Sequence, residues 1–257
     1  MMEQKYLYIS GVRIDKAGLK DVYNFASESI NLKKACLIIS INVDVLIKAR
    51  KDFELKSIIN NSELVLADSR ILLFSSYLLG KPLEGNITGS NFFFSVSDWA
   101  AKKGYKLFLL GAASGVAEKV AEILIKKNSG LKIVGTYSPP FGFENNEDEN
   151  KKMVKIIKEC SPDVLFVAFG VPKQEKWIWR YKDEYNVPVS IGIGATFDFI
   201  AGSVKRAPKW MQKFGLEWFF RLCQEPRRLW KRYLIGNTIF VWLVLKEFIN
   251  YKFGGNL

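Results

Sequence analysis

The chain contains no histidine among its 257 residues. Nucleophiles activated by imidazole, whether Ser-His or Cys-His, are therefore excluded, as are HExxH sites and His-ligated zinc. Asp-x-Asp occurs nowhere, so the usual carboxylate clamp on a metal-bound nucleotide diphosphate is missing. The three cysteines, Cys36, Cys160 and Cys223, are far apart and form no CxxC pair. Such spacing fits reduced, mostly buried thiols of a cytosolic protein. Acid–base chemistry is left to Asp, Glu, Lys, Tyr or Cys, with no cofactor and no metal expected. Long apolar runs are lacking too. The most apolar stretch, TIFVWLVL at 238–245, is far short of the ~20 residues a bilayer requires. The opening MMEQKYLYIS has no apolar core of the kind a signal peptide carries. The expectation is a cytoplasmic protein, in solution or lying on a membrane without crossing it.

What is present is a globular composition, 49% apolar and 25% charged, with a net charge of +12. That charge is unevenly placed. Residues 203–257 hold eleven Lys/Arg against three Glu, a net +8, together with twelve aromatics that include four of the seven Trp. The sequence thus divides into a core at 1–202 and a basic, aromatic appendage at 203–257.

Within the core, short apolar runs ending at turn residues alternate with helical patterns. The runs are ACLIISINV (35–43), LVLA (64–67), KLFLLG (106–111), LKIVGTY (131–137), DVLFVAFG (163–170) and VPVSIGIG (187–194). They suit strands buried on both faces. Helices are expected at 16–31, 43–60, 69–80, 90–103, 114–127, 147–160 and 172–185, and YLYISGVRI near the start reads as a hairpin or edge element. The alternation predicts an α/β fold with a mainly parallel, doubly wound sheet and helices on both faces. FGFENNEDEN (141–150) reads as a solvated loop before a helix. After Gly202 only helices are expected, at 207–220, 226–235 and 238–251.

In open α/β sheets, ligands bind beyond the carboxyl ends of the strands. The residues closing each run are therefore the candidates: Ser40 and Asn42, Asp68, Gly111, GVPKQEKW (170–177) and GIGATFDF (192–199). Asp68 follows LVLA directly. A carboxylate there can act as a general base toward a substrate hydroxyl, or cap the helix that follows. The TGS at 88–90, with Thr88 and Gly89, offers sugar contacts or a capping turn. Lys173 and Gln174 open a helix beside the cleft. The glycine turn of FLLGAASGVAEK offers N–H groups to a phosphate or serves packing; it is not a complete GxGxxG. In the appendage, Arg221 and Arg228 lie seven apart and Lys231 and Arg232 follow, a spacing that allows a cationic stripe. No groove-reading motif accompanies these cations, which argues against nucleic acid as the partner. Basic and aromatic residues on amphipathic helices instead suit an anionic membrane surface, and arginines suit a diphosphate. A tail that packs into a homo-oligomer is the plainer alternative.

The segments SINVDVLIKARKD, ELVLADSRILLFSSYLLGKPL, NITGSNFF, FLLGAASGVAEK, FVAFGVPKQEKWI and GIGATFDFIAGSVKRAPKWMQKFGLEWFFRLCQEPRRLWKRYL carry a resemblance. Over roughly residues 35–240 the chain resembles the WecG/TagA/CpsF glycosyltransferases, glycosyltransferase family 26. The resemblance implies a Rossmann-like core with a C-terminal appendage and an inverting, metal-independent transfer from a UDP-sugar to a lipid-diphosphate-linked sugar. Its best-known members move N-acetylmannosamine or its uronic acid onto undecaprenyl-diphosphate-linked N-acetylglucosamine, and relatives serve capsule and exopolysaccharide assembly. It further implies Asp68 as the base. Arg221 and Arg228 would hold the nucleotide diphosphate, with Lys231 as a third basic position. Ser40, Asn42, Thr88 and Gly89 fall toward the sugars; Lys173, Gln174, Gly194, Ala195 and Asp198 fall toward the nucleotide. The appendage would dock on the inner face of the cell membrane. The sequence departs from the family at Ser40, where Thr is frequent, and at Lys231, where Arg is. It also has Ser69 in place of a glycine and Asn91 in place of an aspartate; these two bear on donor and acceptor identity.

Overall fold

A computed structural model describes residues 6–84, 89–205, 207–208, 210–211 and 216–253. The chain opens with an antiparallel hairpin, β1 (Tyr6–Ile9) and β2 (Val12–Asp15). Ser10 and Gly11 between them both have positive φ, +54° and +72°, as a two-residue primed turn requires. There follow α1 (Leu19–Leu32), β3 (Cys36–Ile41), α2 (Val43–Lys51), α3 (Phe53–Asn61), β4 (Leu64–Ala67), α4 (Arg70–Leu78) and α5 (Gly89–Lys103). The core continues through β5 (Lys106–Gly111), α6 (Val116–Lys127), β6 (Lys132–Tyr137), α7 (Glu147–Cys160), β7 (Val164–Ala168), α8 (Lys173–Tyr185), β8 (Val189–Gly192) and α9 (Thr196–Ala201).

Strands β3 to β8 form one parallel sheet in the order β4-β3-β8-β7-β5-β6. Side chains alternate across it, so each strand feeds two cores. Leu37, Ile39 and Ile41 of β3 join a cluster with residues of α2, α3, α7 and α8. Cys36 and Ile38 join the opposite cluster, with α1, α5, α6 and α9. Continuous apolar runs result because both faces are covered. This is the expected Rossmann-like α/β architecture. The hairpin guards the sheet edge: the Asp15 carboxylate accepts from Val65 N of β4 at 2.8 Å and pairs with Arg13 at 2.9 Å.

Beyond shifts of a few residues at helix ends, three of the expected helical spans differ in kind. The helix expected at 43–60 is two, because Asp52 adopts an extended backbone (φ −111°, ψ 99°) and caps α3 by accepting from Leu55 N at 3.0 Å. Within the helix expected at 207–220, residues 210–211 are helical, 209 and 212–215 lie outside the described residues, and after Leu216 a helix, α10, runs Glu217–Gln224. The two helices expected at 226–235 and 238–251 run on without a break. α11 (Pro226–Trp230) passes through a π turn (Lys231–Ile235) into α12 (Gly236–Phe253), with right-handed helical backbone at both junctions, Lys231 and Gly236. Gly236 carries the permissive backbone of a stop signal but takes ordinary helical angles.

α12 is seated on the core. Phe240, Leu243 and Val244 are buried in the same cluster as α2, Glu247 accepts from Ser10 N at 3.3 Å, and Arg232 pairs with Asp44 of α2 at 3.4 Å.

Candidate active site

The parallel register of β3 and β4 pairs Ile41 with Ala67, so Asn42 and Asp68 follow side by side at the carboxyl end of the sheet. Asp68 N donates to Ile41 O at 2.7 Å. The helix after it is capped by Ser69, whose Oγ accepts from Leu72 N at 3.2 Å, so the neighbouring serine fills the capping role open to Asp68. Asn42 caps α2, its Oδ1 accepting from Val45 N at 3.2 Å. One residue back from Ile41, Ser40 Oγ is buried without a hydrogen-bond partner among the described residues. A buried hydroxyl in that state is uncommon and costly, and it lies on the strand that leads to the cleft. Thr88 and the side chain of Arg228 lie outside the described residues; Gly89 opens α5.

At the ends of β7 and β8 the organising residue is Gln174. Its Oε1 accepts from Gly170 N at 3.2 Å and from Gly194 N at 3.0 Å, and its Nε2 donates to Glu175 Oε1 at 2.7 Å. Gly192 leaves room for this: a Cβ there would stand 2.6 Å from Gln174 Nε2. Glu175 is buried and its Oε2 has no partner among the described residues. Burial pushes its carboxyl up to about 7, against the hydrogen bond from Gln174 and the attraction of Lys48. Lys48 of α2 donates to Val171 O at 3.1 Å and pairs with Asp44 at 3.0 Å, the carboxylate that also meets Arg232 of the appendage.

The first turn of α8 therefore splits. Gln174 turns inward, while Lys173 turns outward to an ion pair with Glu144 that holds the Glu144 carboxyl below its usual range. Arg180 likewise pairs with Glu147 at 2.7 Å. The acidic stretch expected as a solvated loop is thus pinned by α8 cations, through a short 3-10 turn at Phe143–Asn145 and the start of α7.

On the same side of the molecule, Gly194 has φ +56°, Ala195 stands at the N-cap of α9, and Asp198 lies in its first turn. Arg221 of α10 reaches this segment: its guanidinium carbon stands 5.0 Å from the centre of the Phe199 ring, and its Nε is buried without a hydrogen-bond partner among the described residues. The chain breaks helical geometry at Glu225 (φ −131°, ψ 60°), so Arg221 stands on a different helix from Lys231 and Arg232, while the side chain of Arg228 lies outside the described residues. Arg221 meets Phe199, Lys231 lies over Trp230 at 5.6 Å, and Arg232 turns to Asp44. Gly111 of the glycine turn serves packing, since a Cβ there would come within 2.9 Å of the Ala168 carbonyl.

Ser40, Asn42 and Asp68 are thereby brought to one strand pair, and Gln174, Gly194 and Arg221 to the neighbouring strand ends. Sequence reasoning missed Lys48 and Asp44; it reached Glu175, Phe199 and Arg232 only within candidate segments or the cationic stripe, without their partners. One signal was available for the α8 pair: Gln174 lies three and four residues before Trp177 and Ile178, on the phase of the buried face, where a polar side chain must find partners.

The model of the Glycosyl transferase WecG/TagA/CpsF family matches residues 7–253. The chain is 34% identical over 223 residues to an N-acetylglucosaminyldiphosphoundecaprenol N-acetyl-beta-D-mannosaminyltransferase of Bacillus subtilis (strain 168), covering 87% of this chain and 84% of that one. Proteins of the same name show 32% identity in Bacillus spizizenii (85% and 82% covered) and 29% in Staphylococcus aureus strain MW2 (86% and 83% covered).

Proposed function

Because the chain belongs to the WecG/TagA/CpsF family of glycosyl transferases, we propose that it moves N-acetylmannosamine from a UDP-sugar onto undecaprenyl-diphosphate-linked N-acetylglucosamine. The product would enter teichoic acid or a related surface polysaccharide. The relatives' names supply the sugar and the acceptor. The observation that carries the reaction type is Asp68, set at the end of β4 beside Asn42 while Ser69 caps the helix. In this reading Asp68 removes the proton from the acceptor hydroxyl. The oxygen bonds to the anomeric carbon as the bond to the diphosphate breaks on the opposite face, which inverts the configuration. Ser40, Asn42 and Thr88 orient the sugars. Arg221 and Arg228 offset the charge that grows on the departing UDP, in place of a metal.

The appendage has the surface for peripheral docking on an anionic membrane. Opposite the buried Phe240, Leu243 and Val244, α12 exposes Val241, Trp242 and Leu245, with Lys246 over the Trp242 ring. No described helix is long and apolar enough to cross a membrane.

The test is UDP release from a panel of UDP-hexoses and N-acetylhexosamines with a lipid-diphosphate-N-acetylglucosamine acceptor, with and without EDTA. Release that needs the acceptor, occurs with UDP-N-acetylmannosamine and ignores EDTA is expected. Release with another donor would reassign the sugar, EDTA-sensitive release would overturn metal independence, and no release with any donor would overturn the assigned acceptor.

A further inference from the structure

We propose that Glu175 is a positioning residue: its carboxyl fixes which way round the Gln174 amide lies, so that Gln174 ties together the glycine turns at the ends of β7 and β8. A glutamine amide has an accepting end and a donating end, and the two fit different surroundings. Gly170 N and Gly194 N are both donors and both require the oxygen, which stands 3.2 and 3.0 Å away. The NH2 end is then left in a buried place, where it needs an acceptor. Glu175 Oε1 supplies one at 2.7 Å. Gly192 closes the remaining space, its hypothetical Cβ lying 2.6 Å from Nε2. Without the Glu175 oxygen the NH2 group is buried unpaired, and a flipped amide would set donors against two donors. Lys48, from α2, supports the same turn by donating to Val171 O at 3.1 Å. The tie itself does not depend on the transfer reaction; its effect on turnover rests on the reading above, in which these turns line the nucleotide side.

The experiment is amide hydrogen exchange on the full chain, read at Gly170 and Gly194, for Glu175→Leu, for Gln174→Glu, and for the exchanged pair Gln174→Glu with Glu175→Gln. In the exchanged pair the carboxylate at 174 accepts from both glycines and from the new amide at 175, so the bonding pattern survives with its chemistry swapped. Glu175→Leu should exchange about tenfold faster or more at both glycines, the consequence of an unpaired buried group. Gln174→Glu alone, with two carboxylates facing, should do the same, and the exchanged pair should recover most of the protection. A residue serving only as core filling would not be rescued in this way. Unchanged protection in Glu175→Leu, or an exchanged pair as fast as Gln174→Glu, overturns the proposal; the second comparison decides it if the leucine variant does not fold. Where transfer is measurable, Glu175→Leu should lower kcat/KM by about tenfold, the effect of one lost positioning bond. A wild-type protein inactive with every donor and with other lipid-linked acceptors would sink the transfer reading and leave the exchange result standing.

Discussion

The two ends of the parallel sheet are built to opposite rules. At the amino end, polar groups are paired to hold strands in register. Glu63, just before β4, accepts from Leu37 N of β3 at 2.8 Å and from Lys182 of α8 at 3.0 Å. Asp163, just before β7, accepts from Lys106 N of β5 at 2.7 Å, and Tyr185 shares a hydrogen bond with Ser190 at 3.0 Å. At the carboxyl end, Ser40 Oγ, Glu175 Oε2 and Arg221 Nε are buried without a hydrogen-bond partner among the described residues. Burying such atoms costs free energy with no folding return. Atoms without a hydrogen-bond partner also occur elsewhere among the described residues, as at Tyr181 Oη of α8, but those at the carboxyl end lie where open α/β sheets bind ligands.

Matched substitutions break this contrast most sharply. Asp68→Asn at the carboxyl end should lower transfer about 10²- to 10⁴-fold, the range for losing a general base, while UDP binding and the urea midpoint stay put. Glu63→Gln at the amino end should do the reverse. It removes the charge facing Lys182 and should cost about 2 kcal/mol in urea unfolding with kcat retained. An active Asp68→Asn enzyme would remove the base assignment.

Glu175 gives a smaller effect with a definite sign. Its folded value, about 7, lies above the ordinary 4.5 of a glutamate because burial penalises the charged form. The native state therefore holds a proton that the unfolded chain has released, between those two values. The stability this contributes is complete below the unfolded value and is lost as pH rises through the folded one. Glu175→Gln cannot titrate. Relative to wild type it should gain stability from pH 5 to pH 8, approaching about 3 kcal/mol at most. Parallel curves across that range would contradict the buried carboxyl.

How far the sequence could be read follows from the same physics. KLFLLG and LVLA matched β5 and β4 to the residue, because a strand covered on both faces leaves an uninterrupted apolar run bounded by turn residues. Asp68 was legible as the first residue beyond such a run. The break at Asp52 was not, since helical periodicity continues on both sides of it and only a cap separates the two helices. Nor was the meeting of Arg232 with Asp44, or of Arg221 with Phe199. These contacts join distant parts of the chain and leave no local pattern. The single continuous helix through Gly236 was hidden by a residue that reads as a stop.

The cysteines supply the mildest probe, one at the closed end and one on the appendage. Cys36 starts β3, is buried, and donates from Sγ to Pro188 O at 2.8 Å; burial pushes its thiol up to about 12. Alkylation needs the thiolate, so Cys36 should resist iodoacetamide at pH 8 until the chain unfolds. Cys223 is exposed on α10, a helix with no buried residue, and should react readily. If the appendage docks on lipid with α10 against it as well as α12, vesicles containing phosphatidylglycerol should slow alkylation of Cys223 by about tenfold, and phosphatidylcholine vesicles should not, because the cations of the appendage supply the attraction. High salt should restore the rate. Equal labelling in both kinds of vesicle would mean that α10 faces water or protein instead.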